Sequence, residues 1–301
     1  MGHKKKISIA ILGAGATSCL LALILQKKKF NVTVLEGGIS IGGAWAMDRK
    51  GPKFSNIIAP TNKKEKKEFK RSVNYLKKLK INFVTKATKT LYSKKIMNTR
   101  TANLQKLFLY SKKEINFKFS FKVKSINEIN SKVLVNNKYK FDYVFFPTNF
   151  NINKVQYSVK KKSEYLPTPY LKITNSLHLR MFVKNLKKYD FKNLTIGPLD
   201  RFQIINLKKS ISRINARVRI EWKKRSKKDI INEVHKHIDF EKLMSFDFFN
   251  YKSCLRDDFH TKLLKNNLNK TKRIKYFETK SILDFLLYNF FKKQVKISNL
   301  N

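Results

Sequence analysis

The chain has 301 residues, and its hydrophobic content of 42% is enough to bury one large core or two smaller ones. Its two cysteines, Cys19 and Cys254, exclude a disulfide framework and favour a reducing, cytoplasmic environment. The formal net charge of +47 excludes a neutral surface and raises the question of an anionic partner.

The charge has a compositional interpretation that competes with a functional one. Only eleven of the 67 basic residues are arginines, and the lysines are spread along the chain with many Asn, Ile, Phe and Tyr residues. These residue types share A/T-rich codons, so genome composition would explain much of the charge without an anionic partner, and the sequence leaves both interpretations open. We expect a small-molecule substrate, and an anionic substrate would complement the positive charge of the protein. Peripheral binding to an anionic membrane stays open, and nucleic-acid binding is the less favoured alternative.

The first predicted elements lie in residues 7–36. An apolar run at 7–12 is typical of a strand, and the sequence GAGATS follows it at 13–18. An apolar stretch of helical length then extends to about residue 26, and a second strand at 31–35 ends at Glu36. This order predicts a β-turn-α-β unit with a GxGxxS turn and a carboxylate at the end of its second strand.

Each residue of this motif has a physical role in dinucleotide binding. Gly13 permits the tight turn, and Gly15 lets a pyrophosphate approach the backbone. The N–H groups at the helix start, at Ala16 and beyond, hold the negative charge together with the helix dipole. Ser18 takes the third glycine position, where a small side chain lets the helix lie close to the strand. Glu36 would accept hydrogen bonds from ribose and repel a 2′-phosphate, which favours FAD or NAD over NADP.

A membrane anchor is the alternative for residues 7–26, which carry no charge and are flanked by lysines. The lysine clusters at the two ends are equal, so they give no orientation signal. Two glycines and the Thr17–Ser18 pair interrupt the stretch, and a strand pattern follows at once. The nucleotide interpretation is therefore favoured.

The continuation past Glu36 carries a family resemblance. The segment EGGISIGGAW at 36–45 resembles the E-x5-G-G segment of FAD-dependent oxidoreductases in the amine-oxidase and UDP-galactopyranose-mutase branch. The resemblance implies that Gly42 and Gly43 turn the chain back over the pyrophosphate, and that Ala44 and Trp45 enter the flavin site. It also implies FAD as the cofactor and an oxidoreductase activity.

A second match lies at residues 117–148, where the sequence resembles the family's strand pair ending in a D-x-V-x-x-A-T/P stretch, here at 142–148. In relatives the valine of the first of these strands, here Val123, contacts the adenine through its backbone. The family normally closes the flavin site with a Gly-Asp or Gly-Gly element near its C-terminus, but no glycine follows Gly197. Either residues 278–281 take that role before a last helix, or the flavin half of the site is altered.

The remaining elements are predicted from periodicity. Residues 47–61 are expected to be a loop, 62–80 a basic amphipathic helix, and 103–111 a further helix. The helix at 62–80 has apolar residues every three to four positions, and an ordinary surface helix is favoured over a lipid-binding one. Cys19 is expected in the core of the first helix.

Residues 151–275 are predicted to form a substrate or cap domain. Apolar and polar residues alternate at 213–222, which predicts a strand whose polar face carries Arg213, Arg217 and Arg219. Such a face would suit a diphosphate, although the solvent-exposed face of an antiparallel sheet is the favoured interpretation. Asp200 and Arg201 are expected in a loop. No metal site is predicted, because His235 and its neighbours lack a third ligand at a familiar spacing.

We therefore predict an α/β fold: a Rossmann-like FAD/NAD(P)-binding domain with a β-meander insertion, and a second, smaller α+β cap domain. The expected boundaries are 1–61, 112–150 and 276–301 for the first domain, and 62–111 and 151–275 for the cap. The leading function is an FAD-binding oxidoreductase with an unknown small-molecule substrate and no assignable catalytic residue. The alternatives are a nucleotide-binding protein without flavin chemistry, and a basic protein that binds nucleic acid or a membrane surface.

Overall fold

In a computed structural model of the chain, the structure describes residues 6–42, 54–58, 63–84, 88–92, 95–147, 156–159, 162–165, 171–187, 195–208, 210–256 and 273–277. The α-helices in these ranges are α1 (Ala16–Lys27), α2 (Lys63–Lys78), α3 (Leu104–Glu114) and α4 (Lys227–His237). The strands are β1 (Ser8–Leu12), β2 (Asn31–Leu35), β3 (Phe54–Ile58), β4 (Thr88–Tyr92), β5 (Lys95–Asn103), β6 (Asn116–Lys118), β7 (Ser125–Ile129), β8 (Lys132–Val135), β9 (Tyr139–Phe141), β10 (Tyr143–Pro147), β11 (Gln156–Val159), β12 (Lys162–Tyr165), β13 (Leu171–Leu186), β14 (Thr195–Ile196), β15 (Leu199–Lys208), β16 (Ile211–Val218), β17 (Phe240–Arg256) and β18 (Ile274–Phe277).

A parallel sheet with the strand order β18-β10-β1-β2-β6 forms the centre of the fold. Its central strands are apolar on both faces, as a covered parallel sheet requires. Ile9 and Ile11 pack against α1, α2 and α3 in one core, whereas Ala10 and Leu12 face a second core on the other side. Cys19 is fully buried in α1, which confirms its predicted place in the core.

The second core is closed by a five-stranded sheet with the order β12-β11-β7-β8-β9, of which β7, β8 and β9 form an antiparallel meander. This meander confirms the predicted β-meander insertion, whereas the strand pair that the resemblance implied for residues 117–148 is more finely divided. The stretch divides into five strands, β6 to β10, because β6 joins the parallel sheet next to β2 and the chain then turns into the meander. Val123 lies between β6 and β7 and belongs to neither strand.

An antiparallel sheet of eight strands forms the third layer, with the order β17-β13-β16-β15-β4-β5-β3 and β14 paired to β15. One face of this sheet is apolar and packs against α4, whose buried residues include Ile230 and Val234. β3 occupies an edge of this sheet, so the loop predicted for residues 47–61 is wrong where that strand forms. A loop pattern at Gly51 and Pro60 does not exclude a five-residue edge strand between them.

The predicted domain boundaries stay a prediction, although two elements bear on them. β3 comes from the stretch assigned to the dinucleotide domain, yet it pairs with β5 in the antiparallel sheet. α3 comes from the stretch assigned to the cap, yet it packs against α1. The last helix, expected before residue 301, lies outside the described residues.

The basic helix is confirmed as α2, and its apolar side is in the core. Phe69, Val73 and Leu76 are buried, while the lysines of the helix are exposed. Its apolar face is therefore already covered by protein and cannot insert into lipid. Of the helices in the described residues, none is both long and apolar enough to cross a membrane. The anchor alternative for residues 7–26 is wrong, because that stretch divides into β1 and a helix of 12 residues.

The strand predicted for residues 213–222 is shorter than expected. β16 ends at Val218, and Ile220–Trp222 forms a 3₁₀ turn in which Ile220 is 76% exposed. The alternation of residue types continued past the strand because Ile220 and Trp222 happen to keep its period. Asp200 and Arg201 are part of β15, so their prediction as loop residues is also wrong.

A polar cluster joins the first strand of the parallel sheet to β10. Asp142 Oδ2 accepts hydrogen bonds from the Ser8 N–H at 2.8 Å and the Ser8 Oγ at 2.7 Å. Asp142 Oδ1 accepts a further hydrogen bond from Lys132 Nζ. Burial of the carboxyl favours its neutral form, but the hydrogen bonds from Lys132 and Ser8 outweigh burial and lower the pKa of Asp142 from 3.8 to about 2.

Asp142→Asn should lower the free energy of unfolding by about 1 to 2 kcal/mol at pH 7, because the variant loses a charge-assisted network that holds β1 and β10 together. The folded-state pKa lies below the unfolded one, so this stabilisation is present above pH 3.8 and is lost as the pH falls towards 2. Urea unfolding of the wild type and the variant from pH 7 to pH 2.5 measures the difference in their free energies of unfolding. A difference that stays constant over that pH range would contradict the prediction.

Asp239→Asn is the matched control for this measurement. Asp239 pairs with Lys187 at 3.7 Å across an exposed surface, so its removal should cost less than about 0.5 kcal/mol.

Gly197→Ala should destabilise the antiparallel sheet by about 1 to 2 kcal/mol. Gly197 has φ +51°, and an added Cβ would lie 2.5 Å from His237 Cδ2. Thermal unfolding of the single variant and of Gly197→Ala combined with His237→Ala separates the two causes. The double variant should regain only the part of the lost stability that comes from the clash with His237, because the strain of a positive φ at residue 197 remains. Full recovery of the wild-type stability would show that the positive φ costs nothing.

Candidate functional site

The GxGxxS turn lies at the carboxyl end of the two central parallel strands. Leu12 and Leu35 are register partners, and the Gly13 N–H donates to the Leu35 carbonyl at 2.8 Å. Gly13 has φ +81°, a conformation that favours glycine. The turn is therefore tied to the end of β2, which brings the start of α1 close to Glu36.

Among the described residues, none covers the amino terminus of α1 at Gly15. Gly15 is the N-cap residue and has no side chain to accept the first N–H groups of the helix, including those of Ala16 and Ser18. No acidic residue lies in the first turn. A Cβ built on Gly15 would meet no atom of the described residues within 4 Å, so these residues leave space directly over the backbone. These features fit a diphosphate, which needs close approach and donors.

Glu36 lies on the same side as this turn. Its Oε2 accepts a hydrogen bond from the Ala14 N–H at 2.5 Å, and its Oε1 accepts one from the Gly38 N–H at 2.7 Å. The Gly42 N–H donates to the Ala14 carbonyl at 2.7 Å, so the segment after Glu36 returns to the turn. A carboxylate has about four acceptor positions, so Glu36 keeps capacity for ribose hydroxyls. Its role as a ribose ligand stays a prediction.

A segment far along the chain forms a second wall beside Glu36. The Glu36 N–H donates to the Lys118 carbonyl, and the Phe121 N–H donates back to the Glu36 carbonyl at 2.8 Å. The Ser120 N–H likewise bonds the Gly38 carbonyl at 2.9 Å. These bonds bring Val123 into the neighbourhood of Glu36, with the Val123 side chain buried in the core under the meander. Its backbone contact with adenine stays a prediction.

Three of the predicted cofactor residues, Gly43, Ala44 and Trp45, lie outside the described residues, as does the stretch 278–281. The structure therefore brings together Gly13, Gly15, Ala16, Ser18, Glu36, Gly42 and Val123. The part of the proposed site that would hold the flavin ring depends on residues beyond these.

Ser18 is the residue of the motif whose environment the sequence did not reveal. It is 1% exposed, and its Oγ makes no hydrogen bond with any described residue. A hydroxyl without a partner in a helix interior costs stability. The substitution of serine for the third glycine was the available signal, but only the packing around α1 shows that the hydroxyl is buried.

A second polar region lies on the face of the antiparallel sheet opposite α4. Arg217 Nε donates to Asp200 Oδ1 at 2.6 Å, and Arg180 pairs with Asp247 at 2.8 Å. His178 Nε2 lies 2.9 Å from Ser176 Oγ. Burial, followed by the charge of Arg217, lowers the pKa of His178 to about 4, so this imidazole is neutral near pH 7.

Arg213 on the same face is 8% exposed, so the prediction of a solvent-exposed face is wrong for this residue. Sequence alternation assigned Arg213 to the polar face but did not show that this face is covered. Within the described ranges, no three His, Cys, Asp or Glu side chains come together as a group able to hold a metal ion.

Residues 11–62 match the NAD(P)-binding Rossmann-like domain family. The chain shares the fold of the "Putative protoporphyrinogen oxidase" from Exiguobacterium sp. 255-15, with a TM-score of 0.59 at 8% identity over 99% of each chain. It also shares the fold of the FAD dependent oxidoreductase PA4991 from Pseudomonas aeruginosa, with a TM-score of 0.54 at 12% identity over 98% of this chain and 91% of that one. No curated protein matches the sequence.

A third solved structure, the Diels-Alderase PyrE3, is matched at a TM-score of 0.43 and 9% identity, and the chain covers 58% of its length. The likeness to the first two structures establishes the fold, a Rossmann-like domain with a parallel sheet and additional antiparallel sheets. This confirms the predicted fold class and, at the level of fold, the resemblance to FAD-dependent oxidoreductases.

Ser18→Ala should raise the free energy of unfolding by about 1 kcal/mol, because it removes a buried hydroxyl that has no hydrogen-bond partner among the described residues and adds a better helix former. Urea unfolding of the two proteins measures the change. Thr17→Ala, one position earlier in α1 and partly exposed, is the control and should not stabilise to the same degree. Destabilisation by Ser18→Ala would show that the hydroxyl has a partner that matters for the fold.

Proposed function

We propose that the protein binds FAD and is an oxidoreductase that acts on a small-molecule substrate. The observation that carries the proposal is the position of the Glu36 carboxylate, which is hydrogen bonded to the Ala14 N–H of the turn. A ribose acceptor and an open helix amino terminus therefore lie side by side, as an adenosine diphosphate requires.

Several residues would hold the cofactor. The N–H groups at Gly15 and Ala16 would bind the pyrophosphate, Glu36 would accept from the ribose, and the Val123 backbone would contact the adenine. The charge of Glu36 disfavours a 2′-phosphate, which argues against NADP. The likeness of the whole chain to an FAD dependent oxidoreductase supports FAD over NAD. Bound FAD supplies hydride or electron transfer, while the protein binds and orients it.

A nucleotide-binding protein without flavin redox chemistry is the second candidate. The observation that favours it is the absence of any glycine after Gly197, where related enzymes place a Gly-Asp or Gly-Gly element. The visible spectrum of the purified protein distinguishes the two candidates, because bound oxidised flavin absorbs at about 450 nm. Extraction and chromatography of the nucleotide identify it directly. Protein that carries a nucleotide without this absorbance, even after incubation with FAD, would favour the second candidate.

Gly15→Asp should reduce the bound nucleotide to below about a tenth of the wild-type content, because the side chain would enter the pyrophosphate position and its charge would repel the ligand. The fold should survive, since Gly15 has φ −69° and an added Cβ there meets no atom within 4 Å in the part of the chain that the structure describes. Nucleotide content per polypeptide, together with the circular dichroism spectrum, measures both statements.

Gly15→Asn is the matched control, because it has the same shape without the charge. It should retain more nucleotide than Gly15→Asp, and the difference between the two measures the electrostatic part. Full nucleotide content in Gly15→Asp would remove the basis of the proposed function.

A further inference from the structure

A cavity opens at the amino end of the parallel sheet, at the opposite end from the GxGxxS turn. Its volume of about 420 Å³ falls within the range of small-molecule sites, about 300 to 1,000 Å³. We call it the amino-end cavity. Its lining consists of Lys6, Ser8, Asn31, Lys132, Lys140 and Asp142.

Two sheets form the walls of the amino-end cavity. Ser8 and Asn31 are the first residues of β1 and β2 and are register partners. Side chains alternate along a strand, so Ser8 faces the same side as Ala10, which packs in the core under the meander. The meander supplies Lys132 from β8 and Lys140 from β9. The cavity therefore lies where the parallel sheet meets the meander.

Asp142 supplies the carboxylate among the described lining residues, and this carboxylate is already engaged. It accepts hydrogen bonds from the Ser8 N–H, the Ser8 Oγ and Lys132 Nζ. The Ser8 hydroxyl also accepts a hydrogen bond from the Asp142 N–H at 3.1 Å. These bonds hold the Lys132 ammonium in place and leave it further N–H donors. Lys132 is therefore an oriented cation on the cavity wall.

Lys6 and Lys140 differ from Lys132 in their contacts. Both side chains are exposed, and neither makes a hydrogen bond or an ion pair with any residue that the structure describes. The Asn31 carboxamide likewise has no partner in the described ranges. Three ammonium groups and one carboxylate thus line one cavity. An anion bound among these cations would relieve their mutual repulsion.

The chemistry of the lining indicates the class of anion. All the described lining residues are polar or charged, so they offer neither an apolar surface for a bilayer nor an aromatic face for a base. An ammonium group binds as a point charge, and its attraction grows with the charge of the ligand. A phosphate group carries about two charges at neutral pH. A small phosphorylated anion therefore suits the cavity better than a monocarboxylate.

The amino-end cavity is separate from the candidate cofactor site. β1 runs from Ser8 at the cavity to Leu12, where the GxGxxS turn begins. The rise of about 3.3 Å per residue gives a separation of about 13 Å along this strand. A ligand in the cavity therefore does not compete with a nucleotide at the start of α1.

We propose that the amino-end cavity binds a small phosphorylated anion. Lys6 and Lys140 supply two of the cations, Lys132 is the oriented third, and Asn31 is a neutral donor. The proposal goes beyond the proposed function, because the cavity lies at the other end of the sheet and its ligand does not depend on flavin binding.

The test is calorimetric titration of the full-length protein with inorganic pyrophosphate at constant ionic strength. Because pyrophosphate would also bind at the start of α1, the titration uses the Gly15→Asp variant, which should lose that second site. This variant should bind about one equivalent with saturation. Lys6→Met combined with Lys140→Met, the cavity pair, should weaken this binding by about tenfold or more, since two of the three cations are removed.

Lys66→Met combined with Lys70→Met is the matched control, because both are exposed lysines of α2 and their removal lowers the net charge equally. The control pair should change the affinity by less than about twofold. Equal effects of the two pairs, or no saturable binding by Gly15→Asp, would overturn the proposal. If Gly15→Asp does not fold, the two pairs are compared in the wild type. There only the cavity pair should lose about one equivalent of binding, and no loss would overturn the proposal.

Sedimentation with phosphatidylglycerol vesicles tests a membrane as the other source of phosphate. Vesicle binding that depends on Lys6 and Lys140, without saturable binding of pyrophosphate, would overturn the proposal in favour of a membrane surface. Absorbance at about 450 nm in the wild type separates this proposal from the proposed function. Flavin without pyrophosphate binding by the cavity lysines overturns this proposal alone. Pyrophosphate binding by those lysines in a protein that takes up no flavin contradicts the proposed function alone.

Discussion

The parallel pairing of β1 with β2 is the constraint on which the site depends. Because Leu12 and Leu35 end in register, the turn that follows β1 and the carboxylate that follows β2 reach the same edge of the sheet. The Gly13 N–H then bonds the end of β2, and the Ala14 N–H bonds Glu36. A change of register by one residue would separate these groups and turn the side chains to the opposite face.

At the other end of the same sheet, Asp142 closes the pairing of β1 with β10. The parallel sheet is therefore held at its amino end by a charged network and carries its candidate cofactor-binding groups at its carboxyl end. This division separates the stabilising polar contacts from those available to the cofactor. The apolar helix α1 between them is buried on all sides, so its amino terminus has little freedom to move away from the strands.

The basic side chains of the protein lie in two kinds of environment, exposed and buried. The lysines of α2 are exposed and solvated, and they need no partner. Acidic residues number only 20 against 67 basic ones, and four of those described are held by hydrogen bonds or ion pairs: Glu36, Asp142, Asp200 and Asp247. Arg213 differs from the lysines because it is 8% exposed and lies close to a second cation, Arg180. The net charge does not distinguish exposed from buried basic side chains, whereas the exposed fraction of each side chain does.

The sequence by itself determined the local elements: the glycine turn, the adjacent strands, the basic helix α2 and the α/β class. These depend on residue periodicity and turn chemistry within about twenty residues. Only the tertiary structure decided that Ser8 meets Asp142, 134 residues away, and that Arg180 meets Asp247, 67 residues away. It also decided that Val123 lies outside a strand, that Ser18 Oγ is buried, and that Arg213 is covered. Those facts depend on which strands pair and in which register, which no local pattern contains.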